Sequence, residues 1–132
     1  TFSVSKRKAS IGRNPATDPA RTRASQISVH NGVVYFAATP DRPFDPGASI
    51  GEQTRQMLAR VDERLALAGS NKTRILMAHV MISDMRHFAG MNEVWDAWVD
   101  QDSPPARACG AADLGSPDMK VEIIITATVD GR

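Results

Sequence analysis

The sequence predicts an α+β fold, a single six-stranded mixed sheet with two helices on one face. Three observations carry that prediction. β-prone runs and helical stripes follow one another in the order β, β-β, α, β, α, β-β. The 132 residues are the size of one ordinary domain, so 1–132 is expected to form one core, with 1–24 mostly loop. In the last β-prone run, Val121, Ile123, Ile125, Ala127 and Val129 alternate with Glu122, Ile124, Thr126 and Thr128, one apolar face against one mixed face.

The elements follow in order. The first part, to about Ala24, offers one short strand near Lys8 to Gly12 before "RNPATDPARTRA" breaks regularity into a long ordered loop. "SQISVHNGVVYFAATP" then places β-prone runs on both sides of Asn31-Gly32, a hairpin signal that gives strands near Ser25–Val29 and Val33–Ala38. After "TPDRPFDPGA", Ser49 and Glu52 form a capping box, in which hydroxyl and carboxylate satisfy first-turn amides. Ile50, Met57, Leu58, Val61, Leu65 and Ala68 continue as a helical stripe, and Gly69 supplies a left-handed stop.

"TRILMAHVMIS" is almost continuously apolar and reads as a strand covered on both faces, with His79 hydrogen-bonded within it. Asp84 caps a second helix in which Phe88, Met91, Trp95 and Trp98 recur at helical spacing for core packing. Two strands, Ala106 to Ala112 and Met119 to Val129, complete the sheet, joined by "DLGSPD". Two helices cover only one side of such a sheet. The mixed face of the last strand is therefore expected to be buried against other copies of the chain.

Composition narrows the function. A net charge of +1 supplies no field to gather nucleic acid, and no apolar run approaches a membrane span. One cysteine, Cys109, excludes an intrachain disulfide and fits a reducing compartment, so a cytoplasmic location is expected. His30, His79 and His87 share no zinc-like spacing, and no glycine-rich phosphate loop precedes either helix, so neither a metal nor a nucleotide is expected.

The remaining candidates are polar residues in apolar company. Arg107 and Glu122 stand where buried strands prefer aliphatics, either as a structural ion pair or as working groups. If "DLGSPD" closed a hairpin pairing Asp113 with Asp118, Cys109 would lie opposite Glu122, with Arg107 a diagonal neighbour on the same face. Asn92 lies beside the buried face of its helix and needs a partner, a loop carbonyl or a ligand. Cys109 reads as a small core residue or as a thiol activated by Arg107.

"PPARACGAADLGSPDMKVEIIITA" resembles the signature of the Rid/YjgF family of reactive-intermediate deaminases, matching in Pro105-Ala106-Arg107, Cys109 and Val121-Glu122-Ile123. "QTRQMLARVDERLALAGSNKTRIL" and "DMRHFAGMNEVWDAWV" are similar to the family's first helix with its following strand and to its second helix. The resemblance covers most of the chain from about Ser25. It implies a chorismate-mutase-like fold, a homotrimer with intersubunit sites, and hydrolysis of 2-imino or enamine acids to 2-oxo acids and ammonia without a cofactor. By the same resemblance, Arg107 would hold the substrate carboxylate, Glu122 would activate water, and Asn92 and the backbone amide of Cys109 would lie close by. Ala37-Ala38-Thr39 stands where many members have Ser-Gly-Gln, which makes Ala37 and Ala38 part of an altered pocket. No tyrosine occupies the preceding loop near Ala24 or Ser25, and Gly110 replaces a commonly β-branched residue. Binding of a 2-oxo acid without turnover is the competing expectation.

Overall fold

The computed structural model describes residues 9–13 and 23–129, so the expected loop over 14–22 lies outside the described residues. The elements are β1 (Ala9–Arg13), β2 (Ser25–His30), β3 (Val33–Ala38), α1 (Ile50–Leu67), β4 (Ile75–Ile82), α2 (Phe88–Trp98), β5 (Ala106–Ala111) and β6 (Val121–Thr128). They form one mixed sheet in the order β1-β2-β3-β6-β4-β5. No helix among the described residues is long and apolar enough to cross a membrane.

Local chemistry accounts for the element ends. Asn31 (φ 50°) and Gly32 (φ 75°) take the two left-handed positions of the β2–β3 turn, where asparagine and glycine tolerate positive φ best. Ser49 caps α1 by accepting a 3.1 Å bond from the Glu52 amide. The other half of the expected capping box is not made, because the Glu52 carboxylate turns outward to Arg55 at 3.2 Å. Gly69 (φ 78°) ends the helix as expected. Asp84 caps a 3₁₀ turn, Met85–His87, rather than α2 itself, accepting from the Arg86 amide at 2.9 Å. The one-turn delay arises because Asp84 is followed by a tight turn before the helical spacing of α2 begins.

Both helices lie on the same side of the sheet. Met57, Leu58, Val61 and Leu65 of α1, with Met91 and Trp95 of α2, pack on Val121, Ile123, Ile125 and Ala127 of β6 and on Ala78, Val80 and Ile82 of β4. Burying each large aliphatic side chain contributes roughly 1.5–3 kcal/mol, so this stripe-on-strand contact dominates the core. The buried Gln53 is also fully used. It donates to the backbone oxygens of Asp45 and Asp118, each at 3.0 Å, and accepts from the Lys120 amide at 2.8 Å. One side chain thus joins the Pro-rich loop, α1 and the approach to β6.

The expected hairpin between the last two strands is not formed. β5 pairs in parallel with β4, and β6 runs antiparallel between β3 and β4. The segments β4–α2–β5 form a β-α-β unit, in which a helical crossover returns the chain alongside its first strand. "DLGSPD" therefore carries the chain from an edge strand into the middle of the sheet. Cys109 faces Val80, and Glu122 faces Met81; they are not cross-strand partners.

The second face of the sheet is open in the single chain. Tyr35, Met77 and Ile124 stand exposed on it, and a bulge between Ile75 and Met77 also turns Leu76 outward. β4 is thus covered on one face by the helices and bare on the other. His79, expected to be hydrogen-bonded, is exposed on this face and makes no hydrogen bond among the described residues.

Candidate functional site

Residues singled out in the sequence gather in two places. The first is a half-buried arginine seat between β5 and α2. Arg107 pairs with Ala78, whose side chain is fully buried on the helix side, so Arg107 projects toward the helices. Its Nη1 donates to Asn92 Oδ1 at 2.8 Å and lies 3.8 Å from Met91 Sδ. The guanidinium carbon stands 5.2 Å from the centroid of the Trp95 ring. Asn92 thus has its required partner, and the partner is the candidate arginine.

No carboxylate among the described residues approaches Arg107 within 4 Å. An amide oxygen, a thioether and an aromatic face orient the cation without neutralising it, leaving the rest of its donor fork for an anion. Cys109 lies two residues along on the same helix-facing side and is half-buried. Burial raises its thiol above the ordinary range, only partly opposed by the Arg107 charge, so its sulfur is a poor nucleophile near neutrality. β5 is an edge strand, so alternate backbone amides along it face away from β4.

The second place lies across the sheet. Glu122 pairs with Met81, three residues further along β4 than the partner of Arg107 and of opposite pleat. The offset is about 10 Å along the strand, and the two side chains point to opposite faces. A structural ion pair between Arg107 and Glu122 within one chain is therefore excluded. Glu122 instead lines a cleft of about 260 Å³ with Ala37, Thr39, Pro40, Arg42, Arg60 and Arg64. Burial raises its carboxyl above the usual range, partly opposed by Arg42.

Ala37 belongs to this second half, exposed and in register with Ile124 on the open face. Ala38 points the other way, into the core at 1% exposure, so only its backbone is available to a ligand. Alternation along β3 separates these neighbours. Arg42, Arg60 and Arg64 escaped the sequence reading. The available signal was the four-residue spacing of Arg60 and Arg64, which places both on one side of α1, but which strand that side flanks is a tertiary property.

The model of the family described as Endoribonuclease L-PSP matches residues 16–129. A RutC family protein of Haemophilus influenzae is 45% identical over 107 residues, covering 80% of this chain and 90% of that protein. The RutC family protein YoaB of Escherichia coli is 40% identical over 110 residues, covering 83% and 94%. Among solved structures, NMB1025 of Neisseria meningitidis, a member of the YjgF protein family, superposes with a TM-score of 0.82 at 37% identity. That match covers 94% of this chain and 96% of the other.

Proposed function

The chain belongs to the Endoribonuclease L-PSP family, and on that premise we propose that it is a cofactor-independent hydrolytic deaminase. Its substrates are reactive 2-imino acids and their enamine tautomers, released by pyridoxal-phosphate enzymes in the cytoplasm. Water adds to the imine carbon, the carbon–nitrogen bond breaks, and a 2-oxo acid and ammonia leave. The observation that carries this reading is Arg107, a half-buried cation oriented by Asn92 and Trp95, with no carboxylate within 4 Å among the described residues.

The chemistry follows from the two half-sites. The Arg107 fork holds the substrate carboxylate through paired hydrogen bonds. Glu122, ionised, takes a proton from the attacking water and returns it to the departing nitrogen. A carboxyl raised by burial is better matched to that exchange near neutral pH than an ordinary glutamate. An imine is already electrophilic, so positioning and proton transfer suffice.

Arg107 and Glu122 diverge within one chain, so a site containing both is built between copies. We place it in a homotrimer that packs through the open sheet face carrying Tyr35, Met77 and Ile124. RNA fits less well than a small acid, because the chain is nearly neutral and the Arg107 seat suits one carboxylate rather than a track of phosphates.

The test generates 2-iminopropanoate with an amino-acid oxidase and compares hydrolysis by the wild type and Arg107→Ala. The substitution is expected to lower kcat/KM by about thirtyfold or more; equal rates would remove Arg107 from the site. A second reading, 2-oxo acid binding without turnover, is favoured by Ala37 and Ala38, which carry no hydroxyl to place a water. Titration that detects 2-oxobutanoate binding, with no hydrolysis of any imine tried, selects it.

A further inference from the structure

The cleft around Glu122 is unusually rich in arginine for a site that handles a small monocarboxylic imine. Arg42, Arg60 and Arg64 all line it, reaching it from the loop after β3 and from α1. Their partners are unequal. Arg60 is paired with Asp41, Nη2 to Oδ1 at 3.1 Å. Arg64 donates to the backbone oxygen of Ala37, and Arg42 lies 4.8 Å from the centre of the Phe44 ring; neither has a carboxylate within 4 Å among the described residues.

Like charges are crowded here. Burial lowers the Arg64 pKa from its ordinary value, and the neighbouring Arg60 and then Arg42 add to the effect, with Glu63 opposing. Among the described residues, Glu122 is the one carboxylate lining the cleft against three arginines, and the Asp41 carboxylate beside it is held by Arg60. The cleft therefore holds more positive charge than its own acidic groups offset, a cost that an arriving anion relieves.

We propose that this cleft binds a second anionic group on the substrate, so that the preferred imines are dicarboxylic. Arg107 takes the carboxylate beside the imine carbon, and Arg42 with Arg64 takes the distal one. The inference rests on the deaminase reading and assigns its substrate class. A guanidinium pair around an opening of about 260 Å³ suits a carboxylate, to which each arginine offers a planar donor fork. Thr39, also lining the cleft, already donates its hydroxyl to the backbone oxygen of Pro40 at 3.0 Å, so the two guanidinium groups are the donors available to that anion.

The experiment compares 2-iminosuccinate and 2-iminopropanoate, each generated in place by the matching amino-acid oxidase, with the wild type, Arg42→Ala and Arg64→Gln. The wild type is expected to favour the dicarboxylic imine by about tenfold or more in kcat/KM, the scale of one charge-assisted contact. Each substitution is expected to cut that ratio severalfold, read within one protein and therefore insensitive to the folded fraction. A wild type that handles both imines equally, or a preference that survives both substitutions, overturns the proposal. Binding of stable products separates this failure from that of the deaminase reading. If no imine is hydrolysed, oxaloacetate binding more tightly than pyruvate, and losing the difference in Arg42→Ala, still sustains the anion cleft; equal affinities sink it.

Discussion

Asn92 Oδ1 accepts a 2.8 Å hydrogen bond from Arg107 Nη1, joining the second helix to the edge strand. This bond converts a long, rotamer-rich cation into a fixed one. An aromatic face and a thioether complete the seat, so the guanidinium is oriented by neutral groups that do not compete with a ligand for its charge.

Replacing Asn92 by Ala frees Arg107 while leaving its charge. Under the deaminase reading, KM for 2-iminopropanoate is expected to rise by about fivefold to tenfold, the scale of one hydrogen bond to a charged group, with a smaller change in kcat. Asn92→Gln should restore part of the loss if one rotamer returns the amide to Nη1. A KM unchanged in Asn92→Ala would show that Trp95 alone orients the cation.

Glu122 makes a pH prediction whose direction is set by burial. Its folded carboxyl holds a proton above the ordinary glutamate range, so as a base it becomes competent only as pH rises through that raised value. The acid limb of kcat/KM should lie higher than an ordinary glutamate's and disappear in Glu122→Gln. Stability moves the other way. The folded state binds this proton more tightly than the unfolded chain, so the Glu122 contribution falls as pH rises from the ordinary range through the raised one. Denaturant midpoints of wild type and Glu122→Gln, followed across that window, should diverge in favour of the glutamine at the upper end.

The open sheet face predicts an assembly. Ile124 is 42% exposed in the single chain and sits between Ala37 of β3 and His79 of β4, the middle of that face. Placing a charge there, as in Ile124→Asp, should shift a trimer toward monomer in sedimentation and abolish turnover at the intersubunit site. A monomeric wild type, or a mutant that stays assembled, would refute packing through this face.

Gln53 predicts stability rather than activity. Truncation to Ala strands the Lys120 amide and the backbone oxygens of Asp45 and Asp118, and leaves a cavity in α1. The expected loss is about 2–4 kcal/mol in chemical denaturation. A change below about 0.5 kcal/mol would mean that water replaces the amide without cost.

Cys109 should alkylate slowly. Its thiol is half-buried and raised above the ordinary range, so iodoacetamide near pH 8 should modify it more slowly than a free model thiol. Unfolding in guanidinium should bring the rate back to the model value.

Much of the fold was legible because the signals are local. Asn31-Gly32, Ser49, Gly69 and the strict alternation of β6 each act through a few neighbouring residues, and the structure follows them closely. Asn92 was likewise marked by its own incongruity beside a buried helical face. The hairpin expected through "DLGSPD" failed because loop chemistry suggests a turn but does not say which strands it joins. The strand–helix–strand order of β4, α2 and β5 was the better signal, since such a crossover returns its second strand parallel to its first.

By itself, the sequence determined which residues alternate on each strand, where the first helix begins and ends, and which polar groups stand in apolar company. Only the tertiary structure decided that Arg107 and Glu122 occupy opposite faces, and that Glu122 keeps company with Arg42, Arg60 and Arg64. The physical reason is the two-residue repeat of a strand. It assigns relative faces within each strand, but the faces of different strands become comparable only after long-range pairing has set their order and register.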